Sequence, residues 1–283
     1  MVPPLLGEGG LLPLLHETVG CYCLNYNNEQ KRASMSARFQ QLGLPLFLYD
    51  GVGHDDPRLD KVRDDPALRR LWSVTYGHLD MLEQFLATDR AFGVFCEDDI
   101  VVNRELAYHL PHVMNDMGTH GIDFLLLGYM TTAPIRPSFM HTHLGNTDVP
   151  YCTRPEWSYF SYPAYQWGVH MYMVTRAGAQ ELVRTFQAPR SAPATTFAQA
   201  TSFAQATTFA QATSFAETTL STPDTSFSPD WTLSKCPTVR SALMYPMLAV
   251  EDGRDPWEHY AHDGQHQFHM ETYLANFVSG LFI

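Results

Sequence analysis

Val94-Phe95-Cys96-Glu97-Asp98-Asp99-Ile100-Val101-Val102 is the stretch from which the fold can be read. The lead-in from Ala91 to Cys96 is short, aromatic and β-prone, which is the pattern of a buried strand. Three acidic residues follow, and apolar residues then resume. A buried strand cannot hold three carboxylates in its middle without a large desolvation cost. The acids are therefore expected at the strand's carboxyl end, on the lip of a sheet, where open α/β sheets place their ligands. Clustered carboxylates raise one another's proton affinity unless a cation joins them. Hard oxygen ligands select Mg²⁺ or Mn²⁺ over Zn²⁺. The expectation is a divalent cation held at a strand end, against the competing reading of a solvated acidic turn.

Outward from this stretch the chain alternates strands and helices. Val19–Tyr26 reads as a first strand, ended by Asn27 and Asn28, which can cap a helix. Met35, Phe39 and Leu42 recur at helical spacing, and Gly43 and Pro45 close that helix. Leu46–Tyr49 is a second strand, so the unit is strand–helix–strand, the start of a parallel sheet. Pro66–Ala87 reads as one or two helices, Asn103–Met117 as a helix, and Ile122–Leu127 as a strand. Gly128–Tyr165 is irregular, aromatic and proline-containing, which suits a binding loop. Val169–Val174 reads as a strand, Arg176–Phe186 as a helix capped by Thr175, Asp230–Val239 as a short helix, and Ala242–Val250 as one last strand. Between them TTFAQA, TSFAQA, TTFAQA and TSFAET repeat with a period of six over Thr195–Thr218. This low-complexity stretch reads as a surface excursion outside the core, with a partner-binding arm as the alternative.

Composition narrows the class. A chain of 283 residues with 45% hydrophobic and 17% charged residues suits a soluble globular protein with a sizeable core. A net charge of -12 argues against a nucleic-acid or anionic-membrane binder, but not against an anionic small substrate, because one local metal outweighs the global charge. The five cysteines include no CxxC pair, and Cys21 and Cys23 share a strand face, so a reducing compartment is expected. Met1–Leu15 lacks a basic leader region and is interrupted by Glu8, and no apolar run approaches the roughly 18 residues of a membrane span. The reading is a cytoplasmic protein with no transmembrane segment.

Four stretches together resemble glycosyltransferase family 25, the lipooligosaccharide and collagen sugar transferases. CLNYNNEQKRASMSARF is similar to the family's opening strand and helix, with Asn25 and Arg32 matching. VTYGHLDMLEQFL and FCEDDIVV follow, with His78, Glu97, Asp98 and Asp99 matching. QWGVHMYMVTRAGAQELV matches at Gly168, Tyr172, Gly178 and Ala179, and SPDWTLSK ahead of MYPMLAV matches at Asp230 and Pro246. Their order and spacing carry the resemblance. Three positions depart from it: Asn28 where a basic residue is common, Gly77 before His78 in place of serine, and Val169 in place of threonine.

The resemblance implies an α/β, GT-A-like single domain with a central, mostly parallel sheet flanked by helices and a low-complexity insert. Residues 1–18 would be an N-terminal tail and 19–187 the nucleotide-sugar and metal-binding part. Residues 188–227 would be the insert and 228–283 the C-terminal part of the same domain. It implies a metal-dependent, inverting transfer of a sugar, galactose or glucose, from a UDP-sugar to a hydroxyl of a glycan or hydroxylated side chain. Glu97 and Asp99 would hold Mn²⁺ or Mg²⁺, and Asn25, Arg32, His78, Glu97 and Asp98 would serve the nucleotide sugar. Trp167 and Gly168, with Tyr165, would face the acceptor, since aromatic faces suit the C–H faces of pyranoses. Asp230 would be the base that takes the acceptor proton, with Asp252 as a weaker alternative.

Each has a plainer counterpart: Asp230 as a helix cap, Arg32 as a surface charge, His78 as a satisfied core histidine, the aromatics as core. His259, His262, His266 and His269 near the end could add a metal ligand or be solvated. Two rival functions remain at this level. One is a non-catalytic relative acting as a binding or assembly module. The other is a carboxylate-metal phosphoester hydrolase, disfavoured because no second carboxylate cluster is apparent.

Overall fold

β3, Phe92–Glu97, lies inside an eight-stranded sheet of order β2-β1-β3-β8-β5-β9-β7-β6. The computed structural model describes residues 8–130, 152–153, 157–161, 167–187, 227–252 and 280–283. The remaining strands are β1 Val19–Asn25, β2 Leu46–Asp50, β5 Phe124–Met130, β6 Cys152–Thr153, β7 Ser158–Ser161, β8 Trp167–Thr175 and β9 Ser241–Tyr245. β1 pairs in parallel with both β2 and β3, and β5 with β9, while β8 runs antiparallel between β3 and β5. Only β8 and β7 oppose the common direction. The expected α/β architecture, a mostly parallel central sheet flanked by helices, is observed.

Strand alternation divides the core into two faces. On one, Tyr22, Phe95, Tyr172 and Phe124 stack across β1, β3, β8 and β5, with successive ring centroids 5.1, 5.1 and 4.7 Å apart. Cross-strand aromatic pairs of this kind each contribute about 0.2–1 kcal/mol. Against them pack α3, Pro66–Leu86, and α5, Arg176–Gln187, through Leu79, Leu82, Phe85, Ala179 and Leu182. On the other face, Cys21, Cys23, Val94, Cys96, Leu125 and Met171 meet α2, Glu29–Gln41, and α4, Leu106–His120. Residues 8–18, read from sequence as a tail, begin the fold as helix α1, Glu8–Thr18, with Leu15 buried in this second face.

Local chemistry places the helix ends. Asn28 caps α2, its side chain accepting from Lys31 N–H at 3.0 Å, and Gly43 follows in the left-handed region at φ +69°. Asp65 caps α3 by accepting from Ala67 and Leu68, and Pro66 takes the first helical position, so 66–86 is one helix rather than two. Gly77, which departs from the resembled pattern, sits where α3 crosses β1: a Cβ there would lie 2.7 Å from Leu24 Cδ1, so the leucine side chain would have to shift. Thr175 accepts from Gly178 N–H and caps α5 as expected.

Three expectations are corrected. Ala242–Val250 is not one strand: β9 ends at Tyr245 and β10, Ala249–Glu251, pairs antiparallel with β4, Ile100–Val102, in a separate two-stranded sheet. Pro246, which has no N–H to donate, stands at the break. The short helix of the last segment is α6, Pro229–Thr232, not 230–239. The expected loop Gly128–Tyr165 contributes the end of β5 together with β6 and β7, and β7 pairs with β9. The hexapeptide repeat, Tyr165 and the four C-terminal histidines lie outside the described residues.

Candidate functional site

The acidic triad sits where β3 ends. Glu97 is the strand's last residue, and Asp98 and Asp99 form the turn into β4. The turn is held from two sides. Asn25, at the carboxyl end of β1 and 1% exposed, donates from Nδ2 to Asp98 Oδ2 at 2.6 Å and to Asn28 O at 3.0 Å. Just past the end of β10, the Asp252 N–H donates to Asp99 O. Asp252 itself pairs with Arg38 of α2 at 2.9 Å, which occupies the group considered as an alternative base.

Charge at this lip is unevenly compensated. Lys31 Nζ lies 3.4 Å from Asp98 Oδ1 and 3.9 Å from Asp99 Oδ2. Burial pushes Asp98 up, and Lys31 and Asn25 pull it only part of the way back. Asp99 is pushed well above the ordinary carboxylate range, first by burial and then by the charges of Glu97 and Glu251. Its Oδ1 is buried without a hydrogen-bond partner. Glu97 goes the other way. Burial raises it, but His78, with His170 in support, outweighs burial and holds it below the ordinary value.

His78 is fully buried on α3. Nδ1 lies 3.1 Å from Tyr172 Oη, and Nε2 lies 3.5 Å from Glu97 Oε1. The imidazole thus stands behind Glu97 and reaches the site through it. Arg32 pairs with Asp50 at the end of β2 and with Glu29 at 3.8 Å, on the same sheet lip as Asn25.

Asp230, second residue of α6, faces this cluster. Its Oδ1 accepts the Gly168 N–H at 2.9 Å. The cap position belongs to Ser228, whose side chain makes no capping bond. Burial pushes the Asp230 carboxyl up and Glu97 adds to this, while His170, the Gly168 N–H and His78 pull it down, leaving it raised. Gly168 has φ +83°, and a Cβ there would lie 2.7 Å from Met130 N, so the backbone approach that presents its N–H to Asp230 needs glycine. Trp167 opens β8 opposite Met130. Lys235, six positions after Pro229, is pushed down to about 8 by burial, with Asp230 acting against that.

The structure brings Asn25, Arg32, His78, Glu97, Asp98, Asp99, Gly168 and Asp230, each named from the sequence, to the same end of the sheet, and it adds Lys31, His170 and Glu251, which the sequence reading does not single out. Glu251 ends β10 at 8% exposure, 3.9 Å from His170 Nε2 on β8. Its signal was present: MLAV before Glu251 repeats the apolar-run-then-acid pattern of VFC before Glu97. His170 is a lone polar residue inside an apolar strand.

Among the described residues no group of three or more His, Cys, Asp or Glu side chains is arranged to hold a metal ion. The orphaned Asp99 Oδ1 nevertheless fits a hard cation. A Mg²⁺-type site commonly takes only one or two carboxylates and completes its shell with water and substrate phosphates.

No protein-family model matches the chain, and no curated protein matches it. Among solved structures the chain is similar to a glycosyltransferase involved in the glycosylation of the major capsid of PBCV-1. That similarity has 10% identity and a TM-score of 0.37, and it covers 85% of this chain and 97% of the other. A likeness this slight carries no weight for the reaction.

Proposed function

We propose that this chain is a metal-dependent glycosyltransferase that moves a sugar from a nucleotide sugar, a UDP-sugar, to a hydroxyl acceptor with inversion. The observation that supports it is one juxtaposition. A carboxylate turn with an orphaned buried oxygen lies at the carboxyl ends of parallel strands. It shares its electrostatics with a second, separately oriented carboxylate, Asp230. The first can hold a cation and the second can take a proton, which are the two charges an inverting transfer must manage.

Glu97 and Asp99 would hold Mn²⁺ or Mg²⁺, and the cation when bound supplies charge neutralisation for the leaving diphosphate. Asn25 holds Asp98 by a hydrogen bond and His78 stands 3.5 Å from Glu97, so two of the three acids have a neighbour that orients them. In the transfer, the acceptor hydroxyl oxygen forms a bond to the anomeric carbon as the bond from that carbon to the diphosphate oxygen breaks. The nucleoside diphosphate leaves with the electron pair. Asp230 accepts the hydroxyl proton. Its raised proton affinity makes it a stronger base than an exposed aspartate, and the Gly168 N–H fixes the oxygen it does not use. Gly168 therefore acts on the acceptor side by orienting the base.

A panel of nucleotide sugars incubated with the protein and Mn²⁺ tests this reading. Metal-dependent release of nucleoside diphosphate from one donor is expected. A chain that releases none and is not stabilised by UDP with Mn²⁺ would be a non-catalytic relative instead.

A further inference from the structure

Lys31 is oddly placed for a lysine. It stands in the first turn of α2, where the helix dipole disfavours a cation. Its backbone N–H is tied to the Asn28 cap, and its ammonium reaches out of the helix to Asp98 and Asp99 at 3.4 and 3.9 Å. The neighbouring α2 cations serve other acids: Arg32 pairs with Asp50 and Glu29, and Arg38 with Asp252. Lys31 thus carries positive charge to the acidic turn, and it does so incompletely, because Asp99 Oδ1 keeps no hydrogen-bond partner.

A dication entering that turn would be repelled by an ammonium a few ångströms away. The same ammonium sits at a helix N-terminus over the strand ends, the place where a diphosphate is favoured. A lysine, with a flexible stem and a point charge, can change partners where a rigid guanidinium fork would not.

We propose that Lys31 is an exchangeable counter-ion: it holds the Asp98–Asp99 turn when the site is empty and transfers to the donor's diphosphate when the cation takes its place. This rests on the transferase reading above. It makes Lys31 a donor-binding residue that opposes free metal and favours metal together with nucleotide, so that the cation is captured efficiently only with its substrate.

The exchange predicts two changes of opposite sign. In Lys31→Gln, Mn²⁺ alone, followed by the loss of its free-ion electron paramagnetic resonance signal, should bind about tenfold more tightly than to the wild type. UDP at saturating Mn²⁺, followed by calorimetry, should bind about tenfold more weakly. Lys31→Arg, which keeps the charge, should restore Mn²⁺ affinity to the wild-type value. Should Lys31→Gln fail to fold, Lys31→Met, which keeps the packing of the stem, replaces it. If either change is absent, or Mn²⁺ binds the variant more weakly, the exchange is refuted while the transferase reading stands. A wild type that binds neither Mn²⁺ nor UDP removes both.

Discussion

Asp99 and Asp230 both hold protons more tightly than ordinary aspartates, but the two shifts have different consequences. Asp99 is penalised by burial and by two like charges, so its ionised form costs stability at neutral pH. A carboxyl whose folded-state affinity for protons exceeds its unfolded one binds more protons when folded, so stability falls as pH rises from about 4 through the raised value. Asp99→Asn removes that cost. The metal-free variant should melt above the wild type at neutral pH, and the gap should shrink as pH falls toward 4. A differential thermal melt across pH reads this directly. Asp230→Asn should lower turnover by about 10²–10⁴ while leaving UDP affinity within about twofold. The wild-type rate should climb on the acid limb at a pH above that of an ordinary carboxylate, because burial and Glu97 raise the Asp230 carboxyl. Near-normal turnover in Asp230→Asn would remove it as the base.

At the scale of elements, the site depends on where strands stop. β3 stops at Glu97, β1 at Asn25, β2 at Asp50 and β10 at Glu251, and each ends on a polar side chain at the same lip. Much of this was legible beforehand. A run of apolar residues broken by acids marks a strand end, and the alternation through VGCYCLNY and LFLYD gave the parallel pair with its intervening helix. The break between β9 and β10 was not legible, because ALMYPMLAV is uniformly apolar and hydrophobicity alone cannot show that Pro246 divides two sheets. His170 and Glu251 went unread for a related reason: the fold brings them within 3.9 Å although they are 81 residues apart in the chain, on β8 and β10. The left-handed backbone at Gly168 joins these scales. Gly168→Ala combines a positive φ with a Cβ 2.7 Å from Met130 N. It should cost about 1–2 kcal/mol of stability from the backbone conformation alone. It should also lower turnover more than UDP affinity, because it displaces the N–H that orients Asp230. Chemical denaturation alongside kinetics separates the two effects.

For the whole molecule, the two-faced core fixes the sheet while the candidate site residues gather from β1, β3, β8, β10, α2, α3 and α6 at one end of its strands. Among the described residues no helix is long and apolar enough to cross a membrane. Because the acidic turn is half-buried and its carboxylates are incompletely compensated, binding of the proposed cation and nucleotide should stabilise the entire fold. UDP with Mn²⁺ at about 100 times its dissociation constant should add about 2.7 kcal/mol, a rise of about 5–11 °C in melting temperature, and EDTA should reverse it. The central claim is metal-dependent sugar transfer, and release of nucleoside diphosphate from a panel of nucleotide sugars, with Mn²⁺ and with EDTA, tests it most directly. The account predicts release from one donor, a UDP-sugar, that stops with EDTA and is absent in Asp99→Ala. Release that persists undiminished in EDTA or in Asp99→Ala would contradict it.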